Sequence, residues 1–443
     1  MKLNKIAQII DAIDTNVADA GINWLLTDSR TLSFPAESLF FAIQTKRNDG
    51  HNYIAELYQQ NLRYFVVSEI RPEFSKLENA VFLKVDDTLA ALQHLVSVHR
   101  QSFDIPVIGI TGSNGKTVVK EWLYQLLHAD FSIVRSPRSY NSQIGVPLSV
   151  WALNENTQLG IFEAGISEPY EMKKLQPIIQ PTIGIFTNLG DAHQENFHSL
   201  KQKCEEKLKL FKQAEVLIYN SDNKVVDISI AQSGFKGQLF SWGKGDRAVL
   251  KVLDLKKSTH KTLVSMRYKS VEFALKIPFT DDASIENALQ CVAVLLHLGY
   301  EKKEIARRIL LLEAVAMRLE VKDGTRNCLI INDSYNSDLN SLGIALDFLN
   351  QQATAKNLSR TLILSDILQS DIEKQDIRML NYSLTLTDGL RPIANVKISI
   401  HDEIYEQSAA GDGQYHAFSK AMYKIYKRLG KPTPELLDYV VVI

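Results

Sequence analysis

Short apolar runs alternate with amphipathic stretches along most of the chain. Before residue 101, the runs at 39–43, 64–67 and 80–85 predict strands with helical segments between them. Residues 100–104 read as a linker. Beyond it come a short apolar strand at 107–111, a glycine-rich turn and a helical run at 118–128. Apolar strands follow at 160–163 and 182–187, with helices between and after them. A later unit offers a strand at 328–332, a helix at 338–351 and a strand at 361–364. Strands of this kind alternating with helices predict an α/β fold whose parallel sheet is covered on both faces. The texture changes after residue 370. Val396, Ile398 and Ile400 alternate with Lys397, Ser399 and His401, which predicts a half-buried strand. Ala417, Phe418, Ala421, Met422, Ile425 and Leu429 line one face of a helix that Gly430 ends. The expected parts are therefore 1–101, 102–317, 318–370 and an α+β tail at 381–443.

Composition narrows the function classes. The 443 residues carry 50 Lys plus Arg against 51 Asp plus Glu, a net charge of −1, which argues against a general polyanion binder and a nucleic-acid partner. Cys204, Cys291 and Cys328 lie far apart, with no metal-ligand spacing and no even disulfide set. Asp11 and Asp14 interrupt the only stretch where a signal-peptide core could lie, and no apolar run approaches a membrane span. The expectation is a reduced, cytoplasmic protein.

Candidate chemistry centres on the run GITGSNGKT, Gly109 to Thr117, with a strand before it and a helix after it. Backbone N–H groups of Gly112, Ser113, Asn114 and Gly115 can close around phosphate oxygens at a helix N-terminus. Lys116 can reach the β- and γ-phosphates, and the Thr117 hydroxyl can ligate Mg²⁺. Gly109 stands one residue too far from Gly115 for the strict G-x-x-x-x-G-K-T pattern. Glu163 closes a later strand, where ligand contacts collect in open α/β sheets; taken alone it would be an ordinary loop carboxylate.

The TGSNGKT form resembles the loop of the Mur ligases and folylpolyglutamate synthases, ATP-dependent enzymes that join an amine to a carboxylate. The resemblance extends from about residue 3 to about residue 370 and implies a three-domain architecture with a central phosphate-loop sheet, here with its third domain cut short. It implies that Glu163 ligates Mg²⁺, that His193 in TNLGDAHQENF helps hold a second ion, and that Lys207 is carbamylated by CO₂ into a metal-binding carboxylate. Lys209 stands where family members often have Glu. Asn287 would meet the adenine side of ATP, and Arg318 and Asp333 its phosphate and ribose. Ser29 and Arg30 in TDSR, with Asp49 and His51 in RNDGH, would hold a UDP-N-acetylmuramoyl peptide. Asn141, Ser142 and Gln143 in SYNSQIGVP, with Tyr335 and Asn336 in DSYNS, are similar to segments of the members that add D-alanyl-D-alanine to UDP-N-acetylmuramoyl-tripeptide. The implied reaction makes an acyl phosphate from ATP, which the amine then displaces.

The run GDGQYHAF…LLDYVVV resembles about half of the 2-isopropylmalate synthase regulatory domain. Two other readings therefore stand beside the ligase: a nucleotide-binding remnant without ligation, and a folylpolyglutamate-synthase-like enzyme, which would lack the DSR and DGH motifs.

Overall fold

In the computed structural model, the structure describes residues 1–13, 20–45, 48–190, 196–316, 318–323, 329–333, 345–346, 348–350, 377–385, 393–400, 403–410, 420–421, 424–425 and 427–428. The chain divides into two compact units, 1–313 and 314–443.

The first unit begins with α1 (Leu3–Ile9), β1 (Trp24–Leu26), β2 (Ser38–Phe41), α2 (Ile54–Gln59), β3 (Tyr64–Val67), β4 (Val81–Lys84) and α3 (Thr88–Arg100). The four strands pair in parallel in chain order. One face of this small sheet closes over Phe40, Phe65 and Phe74. The other face shares a core with the strands and helices beyond residue 105, running from Leu3 and Leu39 through Leu92 and Leu95 to Phe162 and Leu175. Burial on both faces explains why these strands read as unbroken apolar runs.

The expected linker at 100–104 is therefore no break in the packing. Arg100 ends α3 almost wholly buried and donates to the carbonyls of Ile179 at 3.0 Å, Phe103 at 2.6 Å and Gln180 at 3.2 Å. Ser97 Oγ donates to Pro177 O at 2.8 Å, and Trp151 Nε1 donates to Asn23 O at 2.8 Å.

The larger sheet is built from β5 (Val107–Thr111), α4 (Lys116–Leu127), β6 (Ile133–Arg135), α5 (Gly145–Val150), β7 (Leu159–Glu163), α6 (Glu171–Ile179), β8 (Ile183–Phe186), α7 (Leu200–Leu208), β9 (Val216–Asn220), α8 (Lys224–Gln232) and β10 (Gln238–Gly243). Then come β11 (Leu250–Lys257), β12 (Thr262–Tyr268), β13 (Val271–Ile277), α9 (Asp282–His297) and α10 (Lys302–Ile309). Nine strands lie in the order β13-β12-β11-β10-β9-β8-β5-β7-β6. The pairing is parallel from β6 to β11 and antiparallel from β11 to β13. The antiparallel extension departs from the wholly parallel sheet expected. Its strands bury Val264 and Met266 while exposing Leu263 and Arg267, the alternation of a sheet covered on one face only. Because β5 lies between β7 and β8, the chain switches direction across the sheet there, and ligands bind at the carboxyl ends of such strands.

In the second unit, β14 (Glu320–Asp323) pairs antiparallel with β15 (Leu329–Asn332). β16 (Ile377–Thr385), β17 (Ile393–Ile400) and β18 (Glu403–Ala410) form an antiparallel meander. The strand expected at 396–400 is the last part of β17, and Val396 is buried. Within the helices expected at 338–351 and 417–429, residues 345–346, 348–350, 420–421, 424–425 and 427–428 are helical, and Ala421 and Ile425 are buried one turn apart. The expected strand at 361–364 lies outside the described residues.

Candidate active site

The phosphate loop turns from β5 into α4 at the switch point. Gly115 occupies the left-handed region at φ +82°, and an added Cβ would lie 2.3 Å from Asn287 Oδ1. A Cβ at Gly112, φ +149°, would lie 2.0 Å from Thr187 Oγ1. Both glycines are thus required by conformation and by crowding. The segment after β8 braces the loop. Ser113 N donates to Asn188 O at 2.9 Å, Asn114 N to Asn188 Oδ1 at 2.8 Å, and Thr187 Oγ1 to Asn114 O at 2.6 Å. Gln290 Nε2 in α9 donates to the carbonyls of Phe186 and Thr187. Lys116 folds back so that Nζ donates to Gly112 O at 3.0 Å and Ser113 O at 2.9 Å.

Glu163 is fully buried at the end of β7, beside the loop. Its Oε2 accepts from Thr117 Oγ1 at 3.1 Å, and Thr117 Oγ1 also meets Ser139 Oγ at 2.9 Å. Lys120 Nζ lies 3.0 Å from Glu163 Oε1 and donates to Ser136 O at 2.8 Å and to Arg138 O. The contact with Oε1 is close in distance but misaligned as a hydrogen bond, so that buried oxygen keeps an unengaged lone pair. A buried carboxylate beside a threonine hydroxyl is a hard-oxygen donor pair that suits a divalent cation. No three His, Cys, Asp or Glu side chains converge among the described residues. His193 lies outside them.

Lys207 is 2% exposed in α7, and its Nζ donates to Gly112 O at 3.1 Å. Burial, followed by the charges of Lys116 and Lys203, holds its amine well below the ordinary lysine range. Lys203 Nζ donates to Gly190 O at 2.6 Å in the segment that braces the loop, while Lys116 and Lys207 bond to the loop itself. The arrangement suits a polyanion, and an uncharged amine among cations is a nucleophile.

The other candidates divide. Asn141 O accepts from Gly165 N at 2.8 Å, which ties it to the segment after Glu163. Ser142 Oγ accepts from Gly145 N at 3.1 Å at the start of α5. Gln143 spans α3 and α6 by accepting from Gln93 and donating to Glu171 O. In the small sheet domain Arg30 makes two bonds to Asp28, with its side chain 86% exposed. Asp49 Oδ1 meets His51 Nδ1 at 2.7 Å, while His51 Nε2 accepts from Ser68 N at 3.1 Å. That second bond fixes the Nδ1–H tautomer, so His51 is buried with both nitrogens committed and Asp49 is the group it orients. Arg71 pairs with the other oxygen of Asp49. In the second unit Asp333 Oδ1 accepts from Leu319 N at 3.1 Å, beside Arg318 in sequence. Tyr335 and Asn336 lie outside the described residues.

Residues 110–295 match the family model of the Mur ligase middle domain. These residues are a Mur ligase middle domain. Residues 355–443 match the LeuA allosteric (dimerisation) domain, a match that opens upstream of the expected tail. Over 357 residues the chain is 28% identical to the UDP-N-acetylmuramoyl-tripeptide–D-alanyl-D-alanine ligase of Bacillus subtilis, covering 80% of this chain and 75% of that relative. Its fold is similar to that of MurF from Acinetobacter baumannii, with a TM-score of 0.71 at 23% identity over 79% of this chain and 76% of that one. It is also similar to the MurF ligase of Thermotoga maritima in complex with ADP, with a TM-score of 0.65 at 21% identity over 76% of each chain.

Among the residues around this loop, the sequence alone does not single out Lys120, Asn188 and Gln290. Asn188 was within sight, inside the same TNLGDAH run that suggested His193. Lys120 shows only as a lysine one helical turn after Lys116, which would ordinarily face solvent.

Proposed function

We propose that this chain is an ATP-dependent ligase that adds D-alanyl-D-alanine to UDP-N-acetylmuramoyl-tripeptide in peptidoglycan precursor synthesis. The observation that carries the reading is the group of Thr117, Glu163 and buried Lys207 around one phosphate loop. The relatives named above support the choice of substrates. The peptide's terminal carboxylate attacks the γ-phosphorus of ATP; an O–P bond forms, the bond to the bridging oxygen breaks, and ADP leaves. The amine of D-alanyl-D-alanine then attacks the acyl carbon, an amide forms, and phosphate departs with loss of a proton.

Lys116 and the loop amides Gly112 to Gly115 hold the triphosphate in line for attack, where catalysis is mostly positioning and charge neutralisation. Thr117 and Glu163 would hold Mg²⁺, which lowers the repulsion between carboxylate and triphosphate. Lys207, in its neutral form, which burial favours, adds CO₂ through a new N–C bond and releases a proton, turning an amine into a carboxylate; His193 is its proposed partner for a second ion. Asn287, Arg318 and Asp333 are assigned to the nucleotide. Ser29, Arg30 and Asp49, with His51 orienting Asp49, are assigned to the UDP-sugar, and Asn141, Ser142, Gln143, Tyr335 and Asn336 to the peptide. ATP and a UDP-linked sugar are both substrates of the cytoplasm, and no helix among the described residues is long and apolar enough to cross a membrane.

The LeuA-like match favours a second reading, a chain that binds nucleotide without ligating, because it stands where a Mur third domain would continue. Phosphate release measured with ATP, Mg²⁺, UDP-N-acetylmuramoyl-tripeptide and D-alanyl-D-alanine, each omitted in turn, separates the two. Turnover that needs all four is expected. A Mg²⁺-dependent melting shift with ATP and no turnover would leave the second reading standing.

A further inference from the structure

The loop between β7 and α6 starts at the candidate active site and returns to it. Its first turn is tied to Asn141 through Gly165 N, and the Thr111 hydroxyl donates to Ala164 O at 2.8 Å. Its far end is Tyr170, whose N–H donates to Glu206 Oε2 at 3.0 Å. Glu206 is buried and immediately precedes Lys207 in α7. One strand end and one helix therefore fix the loop from both sides.

Tyr170 is held in the left-handed region, φ +71° and ψ −8°, where a glycine would carry no strain. A bulky side chain there is uncommon, and strained residues persist where the surroundings over-determine them. The fold draws no core packing from the ring, which is 70% exposed. Its neighbour is the ammonium of Lys209, 5.5 Å from the ring centre, and Lys209 in turn pairs with Glu206. Glu206 thus sets both the backbone of Tyr170 and the cation under its ring. The loop itself is closed by Glu171, whose carboxylate accepts from Ser167 N and Glu168 N. Local structure leaves the phenol without a task.

We infer that Tyr170 is a specificity-determining residue that packs against the peptide end of the acyl substrate. This rests on the ligase reading above. The acyl substrate must bring its terminal carboxylate to the loop flanked by Glu163 and Lys207. The segment bearing Tyr170 runs from Glu163 to the neighbour of Lys207, and the carbonyl of the next residue, Glu171, accepts from Gln143, one of the residues assigned to the peptide. A rigid aromatic ring offers contact area at low entropic cost, which suits selection of one peptide over another.

The test compares Tyr170→Gly and Tyr170→Phe with the full-length chain. Wild-type turnover that depends on UDP-N-acetylmuramoyl-tripeptide comes first; its absence sinks the ligase reading itself, before any variant is made. Given that turnover, Tyr170→Gly is expected to raise KM for the acyl substrate about tenfold while KM for ATP stays within about twofold. Its melting temperature should hold or rise by about 1–3 °C, because the strain is relieved. Tyr170→Phe should restore KM to within about twofold of wild type. An unchanged acyl-substrate KM in Tyr170→Gly would overturn the inference. So would an equal rise for both substrates, or a fall in melting temperature, since either marks a structural role.

Discussion

Lys207 shows how one buried side chain couples stability to chemistry. Its folded-state amine titrates below the ordinary lysine value of 10.5, so between those two values the unfolded chain holds the extra proton. Stability in that window therefore rises with pH, and it is lost as pH falls toward the folded value. Replacing Lys207 with Met should remove that slope, raise stability at neutral pH by about 1–4 kcal/mol, and abolish ligation. Urea denaturation of both proteins at pH 7 and pH 9.5, without bicarbonate, measures the first two effects. A variant that keeps turnover would remove Lys207 from the site. The same residue marks the limit of what sequence reveals. Its lysine-rich helix reads as a solvated face, yet Lys203, Glu206 and Lys207 are all buried. Burial of charge is decided by what packs above the helix, which no local pattern records. The loop glycines were legible for the opposite reason, since their requirement is local: a positive φ and a backbone that ligands approach.

At the scale of elements, α3 is the member that two domains share. Its C-terminal turn is held by Arg100, whose three carbonyl partners all lose their donor on truncation. Arg100→Ala should cost about 2–4 kcal/mol, because buried carbonyls left unpaired bear their full desolvation penalty. The denaturation midpoint would shift with the slope unchanged, whereas an unchanged midpoint would mean the two domains pack independently. The strands at 39–43, 64–67, 107–111 and 160–163 were readable, because apolar runs and turn residues act over a few neighbours, whereas the three-residue strands β1 and β6 are too short to show such a run. Residues 101–106 do connect α3 to β5, but the packing that Arg100 makes across that join is not local: Ile179 and Gln180 lie about 80 positions away. The antiparallel extension β11–β13 went unread too. Its alternation at 262–268 was available, but the strands' place beside β10 depends on the parallel sheet already being built.

For the whole molecule, the chain divides at residue 313, and the phosphate loop, Glu163, Lys207 and Asn287 all lie before that division. A chain ending at Glu313 should melt cooperatively and gain stability with Mg²⁺ and ADP, by about 2.7 kcal/mol at a hundredfold excess over Kd. Thermal melts with and without nucleotide test this, and the absence of any nucleotide shift would make Arg318 and Asp333 indispensable to nucleotide binding. The shared core at α3 also bears on synthesis at the ribosome. When residue 100 is added to the chain, two of the three carbonyls that Arg100 must meet, those of Ile179 and Gln180, are still some 80 codons from being made, on the order of 10 s at ordinary elongation rates. The small N-terminal sheet therefore waits with Leu92, Leu95 and Val96 uncovered, a nascent-chain surface that invites a chaperone until the strand–helix units behind it arrive.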